Sequence, residues 1–145
     1  MENSITVTAL IGQINWLAVI LATVAYFILG GLWFAPFLFG KLWHKAIGFE
    51  KPKDWKPTAK YYLGPLIGGF VISFATAILI RFFAIHNYTE AIVLGLIVGI
   101  GYAGSVSFVN AITPKTPKPF VQGAIVGVYH TLSIVLTAII IVTLQ

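Results

Sequence analysis

The chain has no cysteine and very little charge: 9% of its 145 residues are Asp, Glu, Lys or Arg, against about 25% in an ordinary soluble domain. The missing cysteines exclude a disulfide, a thiolate nucleophile and a Cys-based metal site. The shortage of charge leaves too little polar surface to keep a 59% hydrophobic chain dissolved, so the chain is expected to have lipid as its solvent. Acidic residues number only four. Glu50 and Asp54 lie in a polar stretch and Glu90 stands at the edge of an apolar one, so no carboxylate is placed to form a Ser–His–Asp set or a His–Glu metal site. A Gly-rich phosphate loop is lacking too. The chain is therefore not expected to be an enzyme, to hold a metal or to need a cofactor. The net charge of +5 suggests nucleic acid at first sight, but six of the nine basic residues fall between Lys41 and Lys60. A nucleic-acid binder spreads them over a polar fold, so no such partner is expected.

What the chain does have is four apolar stretches, at about 14–35, 61–85, 91–112 and 120–144. At about 1.5 Å per residue each covers the ~30 Å hydrocarbon core of a bilayer. The expected fold is all-α: one domain over 1–145, an integral membrane bundle of four transmembrane helices. The opening "MENSITVTAL" has no basic residue, so the first stretch does not read as a cleavable signal peptide. Lysines 41, 45, 51, 53, 56 and 60 occupy the first loop, 36–60, and Lys115 and Lys118 the third, while "HNYTE" in the second has no Lys or Arg. With four spans the first and third loops share a side, and the excess of lysine assigns that side to the cytoplasm. Both termini are then expected outside, in a plasma or inner membrane.

The stretch "FLFGKLWHKAIG" repeats apolar residues with a helical period, Leu38, Phe39, Leu42, Trp43 and Ala46 on one face and Lys41, His44 and Lys45 on the other. It predicts a short amphipathic helix over 37–48, lying along the inner membrane surface. Trp33, Pro36, Lys41, Trp43 and Lys45 would form an interfacial anchor, with the lysines on anionic headgroups. In the third span Gly95, Gly99, Ala103, Ser107 and Ala111 recur every four residues, a packing stripe of the kind that lets helix backbones approach in lipid. Gly69, Ser73 and Ala77 form a shorter stripe in the second span, and Gly123, Gly127 and Thr131 another in the fourth. Such stripes are expected to pack within the chain first, with a homo-oligomer as the second expectation.

The stretch "GGLWFAPFLFGKLWHKAIGF", through Trp33, Phe34, Pro36, Leu38, Phe39 and Gly40, resembles the signature at the end of the first helix in the family called domain of unknown function 1761. A later Gly-x-Tyr-His element of that family is similar to Gly127, Tyr129 and His130. The resemblance implies a small four-span fold and marks these positions as candidates; it implies no activity. The chain departs from the family in its β-branched end, "TAIIIVTLQ".

His130 lies about ten residues into the fourth stretch, or roughly 15 Å deep. Tyr26, Ser73 and Tyr102 reach similar depths on the other three, and Tyr129 is its neighbour. A neutral imidazole needs a donor and an acceptor, and hydroxyls supply both, so these five residues are expected to form a polar cluster at mid-membrane. Such a cluster either fixes helix register or lines a proton or solute path; haem ligation would need a second histidine from a second copy. Arg81, the one charge inside an apolar run, is expected to snorkel and to pair with Glu90. Asn15 and Asn110 are expected to cap helices or bond between them, and Asn87-Tyr88-Thr89 matches a glycosylation acceptor by chance. The function expected is that of a structural, accessory or self-associating membrane module. The alternative is an oligomeric transporter or channel for protons or a small solute, using His130.

Overall fold

A computed structural model describes residues 6–145; the first five residues of the stretch without Lys or Arg, and the N-terminus expected outside, lie beyond the described residues. The described residues form helices and connecting turns with no strand. Four helical stretches are long and apolar enough to cross a membrane: Trp16–Trp33, Lys60–Phe82, Tyr88–Ala111 and Pro119–Thr143. In hydrocarbon every backbone N–H and C=O has to be satisfied within its own segment, which leaves a helix as the only open-chain solution for runs of this length.

In chain order the elements are α1 (Val7–Gly12), α2 (Trp16–Trp33), α3 (Gly40–Ile47), α4 (Lys60–Phe82), α5 (Tyr88–Val98), a π-helical segment (Gly99–Gly104), α6 (Ser105–Ala111) and α7 (Pro119–Thr143). The helix α1, capped by the Thr6 hydroxyl on Ala9 N–H at 3.3 Å, was not expected from the sequence. Asn15 combines both of the roles its position suggested. Its Oδ1 caps α2 on Ala18 N–H, and its Nδ2 donates to the Leu144 carbonyl at 2.6 Å, fastening the start of the first span to the end of the last. At the same end Gln145 Nε2 donates to the Ile85 carbonyl. The chain reverses there through Ala84, whose left-handed φ of 50° stands where a glycine is usual. Asn87 is the N-cap of α5, its Oδ1 accepting from Glu90 N–H at 2.9 Å, which accounts for an asparagine in "NYT" without glycosylation.

The opposite end gathers the lysine-rich loops. Lys118 N–H donates to the Ala46 carbonyl at 3.1 Å, so the first and third loops do share a side. Helix α3 occupies part of the stretch expected to be helical, but its apolar side is divided. Ala46 is fully buried, whereas Leu42 faces outward, as does Leu38 in the turn before the helix. Gly48, at φ 69°, ends it in the left-handed region that favours glycine.

The last span is the most enclosed of the four and the third the least. Helix α7 packs against α2, α5, the π segment and α6, while α2 also packs against α4. Two buried clusters result. One joins Ala18, Val19 and Ala22 of α2 to Ala77 and Ile80 of α4 and to Ala138 and Ile141 of α7; the other surrounds Tyr26 and Tyr129.

The stripe on the third span begins as expected. Gly95 lies against Val135 and Gly99 against Thr131, so closely that a Cβ on either would stand 2.7 Å from the facing Cα. The partner is α7 of the same chain. Beyond Gly99 the expected register fails. The π segment adds one residue to the turn, and the contact passes to Gly104, against Gly127, and then to Phe108, against Gly123. Ala103 and Ser107 are thereby turned toward a groove beside α4, with Ala103 still packed against the cluster of Tyr26, Tyr129 and Ile134. Ala111 is buried again, at 1% exposure.

Candidate functional site

The site is built where the ends of two family-like stretches meet. Between α2 and α3 the chain folds into a compact knot. Phe39 N–H donates to the Trp33 carbonyl and Gly40 N–H to the Ala35 carbonyl, each at 3.1 Å. Trp33 was expected as an interfacial anchor. Instead its ring lies 4.4 Å from that of Phe39, and its Nε1–H donates to the Ile125 carbonyl of α7 at 3.1 Å. Phe34 stacks edgewise on Tyr129, at 5.2 Å, and on Trp43, at 5.1 Å. Trp43, expected in the aromatic belt, is turned inward with its Nε1–H sealed and unpaired. Lys41 and Lys45 remain exposed, as does Pro36 at the turn. Both rings are half-buried because the loop folds back under the bundle, Trp33 reaching α7 and Trp43 resting on Phe34 and His44.

Under this aromatic cover lies the polar contact. The Tyr26 hydroxyl and His130 Nδ1 are 2.5 Å apart, joining α2 to α7. Both residues stand within about 3 Å of the middle of their spans at 1.5 Å per residue. Tyr26 is 2% exposed and Tyr129 5%. The Tyr129 hydroxyl sits where Gly30 would carry a Cβ, 2.6 Å from that position, and faces the Tyr26 carbonyl at 3.5 Å. Tyr26 in turn lies on Gly69 of α4, which has room for the ring because it has no Cβ of its own.

Of the five residues expected to cluster, three come together: Tyr26, Tyr129 and His130. Ser73 is wholly buried, but its hydroxyl makes no hydrogen bond. Tyr102 is 71% exposed on the π segment and makes none either; the added residue turns it outward. Asn110, expected as a cap or interhelical donor, makes no side-chain hydrogen bond and lines the same groove as Tyr102. The sequence reading missed Ser133 and Thr137, two further buried hydroxyls without partners. It also missed Gly30, whose signal was its one-turn spacing from Tyr26. Arg81 and Glu90 form no ion pair among the described residues. Arg81 is in the last turn of α4 and Glu90 in the first turn of α5, so each charge meets the helix end that favours its sign without the other.

A cavity of about 660 Å³ opens beside the cluster, between α2 and the first half of α4, with His130 and Tyr129 on its wall. A shallower groove runs between α4 and the third span, and His130 contributes to that wall as well. Among the described residues no three His, Asp or Glu side chains assemble as a metal site.

These features define a small membrane bundle of four spans whose first and last helices meet through a tyrosine and a histidine. The chain belongs to the family described as Protein of unknown function (DUF1761), whose model matches residues 17–142 and so covers both stretches that build the site. No curated protein and no solved structure matches it.

Proposed function

We propose that the protein is a non-enzymatic, self-associating membrane module in which the Tyr26–His130 pair holds the spans in register and the groove beside the third span receives a second copy. The observation that carries this is Tyr102. It lies about 4 Å from the middle of its span at 1.5 Å per residue, is 71% exposed, and has no hydrogen-bond partner among the described residues. A phenol left unpaired in hydrocarbon is unfavourable, and Asn110 adds an unpaired amide to the same groove. A second copy offers both a partner, and polar contacts across helices are what associates spans when apolar burial is equal in lipid. The lysine-rich face would be cytoplasmic, with Lys41 and Lys45 on anionic headgroups and both termini outside in a plasma or inner membrane.

Single-molecule photobleaching in liposomes over a range of protein densities tests the proposal. Dimers are expected. Tyr102→Phe should weaken them about threefold to tenfold, the range of one interhelical hydrogen bond, and leave the unfolding midpoint in place. Monomers at every density, or a Tyr102→Phe dimer as tight as the parent, would refute it. The cavity reaching His130 favours one other reading, an oligomeric path for protons or a small solute. Under that reading His130→Ala stops a flux into liposomes and leaves assembly intact; under ours no flux responds.

A further inference from the structure

The cavity is not a packing defect of the core. Its far wall is α4 from Tyr61 to Gly68, where every residue is exposed, and Pro65 interrupts the helix's hydrogen bonding there. Gly31, Gly64 and Gly68 line it, and a Cβ built on any of them meets nothing within 4 Å. No contact inside the chain requires glycine at these three places, unlike Gly95 or Gly99. Because the mouth runs along exposed residues of α2 and α4, it opens sideways to lipid.

The polar atoms on the wall narrow what fits. Tyr26 is buried, and its hydroxyl lies 2.5 Å from His130 Nδ1, which we take as the acceptor of its proton. A neutral ring that accepts at Nδ1 carries its own proton on Nε2. That Nε2–H has no partner among the described residues and is not sealed by them. Trp43 lines the same wall, but its unpaired N–H is sealed by the chain and does not face the opening. Beside the buried cluster the open donor is thus His130 Nε2–H, and an occupant from the lipid meets it with a neutral acceptor.

We propose that the cavity binds a neutral, carbonyl-bearing lipophile of the alkylated-quinone type. Its carbonyl oxygen accepts from His130 Nε2–H, its ring lies against Phe34 and Tyr129, and its chain leaves between α2 and α4. A volume of about 660 Å³ accommodates such a head and several carbons of tail. The assignment concerns binding alone and stands independently of self-association.

Binding of tritiated 2-decyl-1,4-naphthoquinone and of carbonyl-free 2-decylnaphthalene to the protein in nanodiscs, with empty nanodiscs as the partition blank, tests it. The expected result is saturable binding of one quinone per chain, about fivefold tighter than the naphthalene, the worth of one neutral hydrogen bond. Gly31→Leu and Gly68→Leu fill the cavity and should each weaken binding about tenfold or more without lowering the unfolding midpoint. His130→Phe should bring quinone down to the affinity of naphthalene, and if that variant fails to fold, the leucine variants still decide. Tyr102→Phe should leave quinone binding unchanged, which separates this proposal from the one above. Uptake no greater than in empty nanodiscs, equal affinity for the two probes, or full binding by Gly68→Leu would overturn it.

Discussion

Gly99→Leu is expected to lower the stability of the bundle by about 3 kcal/mol or more, because no side chain can be added there without moving α7. A Cβ at this position stands 2.7 Å from Thr131 Cα and 2.9 Å from its methyl group, and the first of these atoms is backbone, which no rotamer change removes. The third span makes its main helix contacts with α7 alone, so the strain cannot be shared with another interface. Unfolding by SDS in bicelles measures the loss. Deleting Gly101 is the informative contrast. It is exposed with open space at its Cβ, and its removal places Gly104 four residues after Gly99. An ordinary α-turn then carries Gly104, Phe108 and Ala111 to the positions on α7 that they now reach through the π segment. The deletion is expected to keep an unfolding midpoint near that of the parent protein, whereas deletion of Ile97, before Gly99, breaks the register and should lower it steeply.

The second large effect is at Gly40. Its need for glycine is steric rather than conformational: the backbone lies outside the left-handed region, yet a Cβ would stand 2.2 Å from the Phe34 carbonyl oxygen and 2.8 Å from that of Ala35. Gly40→Val must open the knot that presents Trp33 and Phe34 to Tyr129. About 3 kcal/mol or more is expected to be lost, together with the Trp33–Ile125 hydrogen bond. The same SDS titration reads the first, and a shift in tryptophan emission reads the second. A Gly40→Val protein as stable as its parent would show that the knot is not part of the fold's support. This steric reason also explains why the Leu-Phe-Gly of the family-like motif ends in glycine.

Much of this was visible in the residues. Four runs of this length with so few charges admit few solutions in lipid, and an even alternation of four spans by itself brings the first and third loops to one end. Counting at 1.5 Å per residue placed Tyr26 and His130 at one depth, and they meet. Depth follows from counting, but the direction a side chain faces changes by about 100° per residue, and packing decides it. Tyr102 was misplaced for that reason: the segment Gly99–Gly104 takes a π turn, and "GIGYAG" offers small residues at both the four-residue and the five-residue spacing. The facing helix held the missing information. A stripe continued to Ser107 would oppose one small residue to Gly123, while Phe108 fills the space that Gly123 leaves. The inward turn of Trp43 was hidden for a different reason, since amphipathic spacing cannot tell a lipid surface from the underside of the chain's own bundle.

The Tyr26–His130 contact joins the first and last spans, and a double-mutant cycle with Tyr26→Phe, His130→Phe and the double variant, each unfolded by SDS in bicelles, measures how strongly the two side chains are coupled. A coupling of about 0.6–1.7 kcal/mol is expected, the range measured for hydrogen bonds between membrane helices. Additive single effects, with a coupling under about 0.3 kcal/mol, would contradict it.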